Sequence, residues 1–273
     1  MLWKVLYYVF PALGGYILTS LYLLKNPHIL HKKKRPAFNS RHVSHRGGAG
    51  ERIESTMEAF THAVNEGTEM LELDCHLTRD GHVVVSHDEN LLRQTGHDVH
   101  ISSLNLEVVT RYYSTGKDRQ FVLLEDLFEK FPNVPVNIEI KEDNDLLIRK
   151  NPAMPYMFTV SRGLQLLLLY YSGLLPFVPL GESFLQFYLP QVINRTYIPD
   201  SPVLRNGLVI SLIEKLTMRK NLFQHLVKRG LQVHLFVCNK EMDIAAAFAV
   251  GATGVMTDYP SLLSDYLRKH PIC

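Results

Sequence analysis

Met70-Leu71-Glu72-Leu73-Asp74-Cys75-His76-Leu77 is the stretch from which the fold can be read. Side chains alternate between the two faces of a strand, so Leu71 and Leu73 share one face and Glu72 and Asp74 the other. The leucine face calls for a packed layer against it. The carboxylate face then points into an interior, where two uncompensated like charges would become protonated or cost several kcal/mol, and a divalent cation is the direct way to hold them. The competing reading is a half-exposed edge strand with solvated acids.

Outward from this strand, short β-branched runs alternate with amphipathic stretches, the pattern of βα units and a parallel sheet. Strands are expected at Arg41–His45, His82–His87, Val134–Lys141, Tyr156–Val160, Gln232–Cys238 and Gly254–Thr257 as well. Helices are expected at Thr56–Val64, Leu216–Arg229 and Lys240–Phe248, and a tight turn at Thr78-Arg79-Asp80-Gly81. This α/β order fits a TIM-type (β/α) barrel best, with a smaller open sheet as the alternative. Between Lys141 and Tyr156 there is room for a short helix but no strand, so the barrel is expected to lack one βα unit there.

Residues 5–24 carry no charge, and as a helix they would span roughly 30 Å, the thickness of a bilayer core. No small-x-small cleavage site follows, which favours an uncleaved transmembrane anchor over a signal peptide. Lys25, Lys32, Lys33, Lys34 and Arg35 lie beyond it, against Lys4 and the terminal amine before it, so the following domain is expected in the cytoplasm. An endomembrane such as the endoplasmic reticulum is compatible with this. The organisation is read as anchor and basic linker at 1–36 and a catalytic domain at 37–273. Residues 161–205, apolar and interrupted by Pro176, Pro179 and Glu182, read as a membrane-associated insertion in that domain, lying on the bilayer rather than crossing it.

A net charge of +2 gives no global basic field, so no nucleic-acid partner is expected, and no obligate protein partner is evident,. Cys75, Cys238 and Cys273 are too few and too widely spaced for a zinc site or a disulfide framework.

Three further clusters stand at the ends of expected strands, where barrel active sites are built. His45-Arg46-Gly47-Gly48 combines a proton-transfer group, a planar phosphate clamp and glycines that admit close backbone approach. In Asn137-Ile138-Glu139-Ile140-Lys141, Glu139 is placed to complete an oxygen site for magnesium or calcium with Glu72 and Asp74, and Lys141 to neutralise phosphate. His87, in Val85-Ser86-His87-Asp88-Glu89, supplies a second histidine at the rim.

Together His45-Arg46-Gly47, Glu54-Ser55-Thr56, Glu72-Leu73-Asp74, His87-Asp88-Glu89, Glu139-Ile140-Lys141 and Thr257-Asp258-Tyr259-Pro260 resemble the glycerophosphodiester phosphodiesterase family, over about residues 40–260. The apolar N-terminus and the apolar insertion resemble its membrane-anchored lysophospholipase D branch. The resemblance implies a TIM barrel and cation-dependent hydrolysis of glycerophosphodiesters or lysophospholipids, the latter giving lysophosphatidic acid and the head-group alcohol. It makes Glu72, Asp74 and Glu139 metal ligands and His45 and His87 general base and acid, with metal contact as the alternative for His87. Arg46 and Lys141 would hold phosphate, with Glu54 a nearby polar contact. Ser55 stands where the family pattern has Asn, and Phe236 where Trp is usual. The alternatives are a catalytically impaired membrane protein that binds lipid or a partner through the same motifs, and a phospholipase C-like barrel.

Overall fold

A computed structural model describes residues 2–112, 121–140, 151 and 154–271. In chain order the strands are β1 (His42–Ser44), β2 (Met70–Leu77), β3 (Val83–Val85), β4 (Val122–Leu123), β5 (Val136–Glu139), β6 (Phe184–Tyr188), β7 (Gln232–Phe236) and β8 (Gly254–Thr257). The helices are α1 (Leu2–Lys25), α2 (Met57–Asn65), α3 (Leu92–Thr95), α4 (Leu106–Tyr112), α5 (Leu124–Lys130), α6 (Val160–Tyr171), α7 (Gly207–Thr217), α8 (Lys220–Lys228), α9 (Glu241–Val250) and α10 (Pro260–Lys269). Contacts divide the chain into two compact units.

One unit comprises 40–152, 236–245 and 254–273. In it β8, β1, β2 and β5 lie side by side and parallel. Leu71 and Leu73 are fully buried with Phe60 and Ala63 of α2, Leu127 of α5, and Val85, Val122 and Phe131, so the leucine face of β2 meets the helices as its alternation demands. α2 begins where Thr56 Oγ1 accepts the Ala59 amide at 3.1 Å, satisfying one donor of the first turn,. The parallel register sets Glu72 beside Asn137 and Asp74 beside Glu139. Neighbouring residues in register share a face, which brings the carboxylates of two distant segments together.

The expected strand at His82–His87 is not a barrel strand. Beyond Asp74, β2 turns through Thr78–Gly81, with Gly81 at φ +88°, and β3 returns antiparallel to it, Cys75 opposite Val85. β4 then pairs antiparallel with β3. A hairpin turn this short cannot make a parallel crossover, which needs a dozen or more residues.

The other unit comprises 1–39, 153–235 and 246–253. There β6 and β7 are neighbours, and the Gln232 amide donates to Ser183 O at 3.0 Å. β6 falls inside the stretch read as an insertion. Its aromatic residues favour a strand, a signal hidden by the prolines around it,. The strand expected at Tyr156–Val160 is reduced to one bridge between Met157 and Phe184. Thr159 Oγ1 instead accepts the Arg162 amide at 3.3 Å and caps α6, which takes Val160 into the helix. Leu216–Arg229 is two helices, parted at Met218, where ψ is 68°. The region after Lys141, where a βα unit was expected to be missing, and Lys141 itself lie outside the described residues.

Candidate active site

Every described side chain expected in the site belongs to the first unit, on β2 and β5 or in the segments that follow β1 and β3. Glu72 and Asp74 are buried, which excludes the edge-strand reading, while Glu139 is exposed. One carboxylate oxygen from each lies within 4.8 Å of the others. Burial, opposed by the His45 charge and reinforced by that of Asp74, pushes the Glu72 carboxyl up to about 7. The protein alone therefore leaves negative charge poorly compensated here, and an all-oxygen donor set of this kind fits a hard dication such as magnesium or calcium. Among the described residues His87 is not part of this convergence.

β1 runs into a turn at His45–Gly47 in which Arg46 takes φ +50° and Gly47 and Gly48 take φ +80° and +93°. A Cβ on Gly47 would sit 2.9 Å from the Phe60 ring, and one on Gly48 2.8 Å from Pro260, so only glycine fits,. The turn aims the Arg46 amide at Glu72 Oε2, 2.9 Å away. A left-handed non-glycine residue held by such a contact is strain fixed at a site. Arg46 Nη1 donates to Glu54 Oε2 at 3.2 Å, and Nε lies 3.9 Å from Asp74 Oδ2.

The two histidines are held alike. His45 Nδ1 lies 2.6 Å from Asp258 Oδ1, with Nε2 4.0 Å from Glu72 Oε2. His87 Nδ1 lies 2.6 Å from Asp88 Oδ1. In each case the aspartate occupies Nδ1 and leaves Nε2 to face a reacting group. Burial favours a neutral His45, but the Asp258 hydrogen bond and the Glu72 charge outweigh it and raise its pKa above the usual imidazole value. Asp258 is in turn held below the usual carboxylate range, its burial outweighed by His45, and Asn239 Nδ2 donates to its Oδ2 at 2.5 Å. Arg93 links the second pair to Glu54, bonding Asp88 through Nε at 2.5 Å and Glu54 through Nη2. Arg93 therefore ties the His87 side of the site to Arg46 through Glu54.

Asp258, Asn239, Asp88 and Arg93 were not expected to be site residues. Asp258 and Asp88 stand in the motifs Thr257-Asp258-Tyr259-Pro260 and His87-Asp88-Glu89, which carry the family resemblance but assign neither residue a role. Arg93 carries no signal, since nothing local announces a partner 39 residues away.

A model of the glycerophosphoryl diester phosphodiesterase family matches residues 45–157. Human lysophospholipase D GDPD3 is 44% identical over 97% of this chain and 97% of its own length. The chain belongs to the glycerophosphoryl diester phosphodiesterase family. Human lysophospholipase D GDPD1 is 43% identical over 96% of this chain and 97% of its own. The crystal structure of the Thermotoga maritima glycerophosphodiester phosphodiesterase matches with a TM-score of 0.61 at 22% identity, covering 84% of this chain and 99% of that one, and its likeness makes the fold TIM-like α/β. The family hydrolyses glycerophosphodiesters with a metal ion, and the chain is a phosphoric diester hydrolase.

Proposed function

We propose that this chain is a membrane-anchored lysophospholipase D, cleaving lysophospholipids or related glycerophosphodiesters and leaving phosphate on the glycerol side. The observation that carries this reading is the convergence of Glu72, Asp74 and Glu139 within 4.8 Å beside an aspartate-held His45. The names of the two human relatives supply the substrate class.

In this reading Glu72, Asp74 and Glu139 hold magnesium or calcium. When bound, the dication neutralises charge on the phosphoryl oxygens. Arg46 holds a phosphate oxygen, with Glu54 fixing its guanidinium from the far side. Lys141 is assigned to the phosphate by the sequence pattern alone. His45 and His87 move the protons through Nε2, one taking a proton from the nucleophile and the other giving one to the leaving alcohol. Glu72→Gln keeps the volume but removes a ligand charge. It is expected to abolish turnover and weaken cation binding measured by calorimetry, with the fold intact by circular dichroism. Full activity in this variant, or wild-type activity that survives exhaustive chelation, overturns the metal mechanism.

α1 contains an apolar stretch at Tyr7–Lys25, long enough to cross a bilayer. In our reading it anchors the chain, residues 1–36 forming anchor and linker and 37–273 the catalytic domain on the cytoplasmic side. A cysteine introduced near residue 30 is expected to be labelled from the cytoplasmic face of sealed vesicles; labelling from the lumenal face reverses the orientation.

A further inference from the structure

Arg93 stands on α3, a single helical turn outside the sheet, yet its guanidinium reaches both halves of the site. The turn is fixed in place from three directions. Leu91, just before it, is fully buried with Val84, Ile101 and Val109, and its amide donates to Val99 O at 2.9 Å. Asn90 Oδ1 accepts the Leu92 amide at 2.9 Å, which holds the first residue of the turn. Gln94 Nε2 donates to Ser86 Oγ at 3.2 Å, and that hydroxyl donates to Asp88 O at 2.8 Å. The backbone carrying Arg93 is thereby fastened to the segment carrying His87.

From this footing the side chain divides its donors between two carboxylates. Nε bonds Asp88 Oδ2 at 2.5 Å, and Nη2 bonds Glu54 Oε1. Each acceptor commits its other oxygen to a group assigned to the chemistry: Asp88 Oδ1 lies 2.6 Å from His87 Nδ1, and Glu54 Oε2 accepts from Arg46 Nη1 at 3.2 Å. His87, Asp88, Arg93, Glu54 and Arg46 therefore form one unbroken chain of side chains with Arg93 at its centre. Burial would raise the Glu54 and Asp88 carboxyls, but the Arg93 hydrogen bonds and the neighbouring positive charges outweigh it and hold both below the usual carboxylate range. Both acceptors are thus ionised, and charge alternates in sign along the chain.

What the arrangement supplies is geometry more than stability. The Arg93 side chain is 54% exposed, and ion pairs open to water contribute little to folding. A guanidinium, however, is planar and delocalised, so covalent geometry fixes the separation of the two acceptors that its Nε and Nη2 engage. A lysine ammonium carries the same charge at a single point and cannot set that spacing.

We propose that Arg93 is a positioning residue: acting through Asp88 and Glu54, it sets the distance between His87, which moves a proton, and Arg46, which holds the phosphate. The proposal rests on the roles given to His87 and Arg46 in the lysophospholipase reading.

The test uses the full chain with lysophosphatidylcholine in mixed micelles and magnesium or calcium. Arg93→Ala removes the link, and Arg93→Lys keeps its charge while removing the fork. Both are expected to lower kcat about 10- to 100-fold, the scale of a misplaced reacting group. Circular dichroism and calorimetric cation binding are expected to match wild type, since the bonds of Arg93 run to Asp88 and Glu54 rather than to the metal-holding carboxylates. In a Glu54→Ala background, where the chain of contacts is already cut, Arg93→Ala is expected to cost markedly less than in wild type, whereas independent sites would add. Wild-type kcat in either Arg93 variant, a full additive loss in the Glu54→Ala background, or cation binding that falls together with kcat overturns the proposal. If wild type turns over the lipid in that outcome, the lysophospholipase reading stands without this role; wild type that binds the cation and leaves the lipid intact takes both down.

Discussion

His45 owes its orientation to Asp258, which Asn239 grips from the other side, so the imidazole is fixed by a carboxylate that need not touch substrate. Asp258 is thus a positioning residue. Asp258→Asn keeps its shape while removing the charge that holds the tautomer, and kcat is expected to fall about 10- to 100-fold with KM little changed. Steady-state kinetics on a lysophospholipid check this, and an unchanged kcat, or a loss confined to KM, removes the role. Ser55 shows the opposite relation between sequence and site. It sits at φ +58°, a conformation in which Asn is several-fold enriched among non-glycine residues, and its Oγ is buried with no hydrogen-bond partner,. The departure from the family pattern is therefore one of backbone fit as much as of pocket chemistry. At this scale the carboxylates of β2 and Glu139 were readable because alternation assigns faces without knowledge of the fold. Asp258 and Arg93 were not, because their roles are set by partners brought near only by folding, and Asp88, though it adjoins its partner His87, carries no pattern that sets it apart from any other acid beside a histidine.

β1 illustrates how an element's environment becomes a pH response. His42, fully enclosed beside Thr68 and Ser264, is pushed down to about 4 by burial. The unfolded chain, with an ordinary histidine near 6.5, then binds more protons between those values, so stability is expected to fall as pH drops from about 6.5 to 4. A shift of this size corresponds to about 3 kcal/mol at the acid end. Urea unfolding of wild type and His42→Asn across that range checks it: the variant should lose much of the slope, and parallel curves would show that His42 does not titrate this way. Among the elements, β2 and β8 match the bounds expected from sequence, and α2 starts one residue after its expected first residue, which proves to be its cap. These segments carry clear alternation or a capping residue. β3 was placed correctly but not its direction, since a three-residue apolar run says nothing of which neighbour it pairs with. β6 was missed because its prolines and apolar flanks resembled a lipid-facing loop. Within that one apolar run α6 exposes a stripe of apolar side chains while β6 is a strand, so two different elements share one composition.

Taken whole, the molecule joins a helix suited to a bilayer to a family fold whose acids converge on one point. Its proposed substrates are amphiphiles, and an enzyme anchored in the bilayer that holds them would meet them by diffusion in two dimensions. TIM-like architecture was foreseeable from the order of βα units and is supported by the likeness to a solved relative that covers nearly all of that chain. The bond that is cut is the central claim. Phosphorus magnetic resonance of lysophosphatidylcholine incubated with the purified full chain, with magnesium or calcium and again after chelation, reads this in one experiment. The diester signal is expected to give way to the phosphomonoester of lysophosphatidic acid, and only while a divalent cation is present. Phosphate emerging on free choline, hydrolysis undiminished after chelation, or a diester signal that persists with either cation would contradict it.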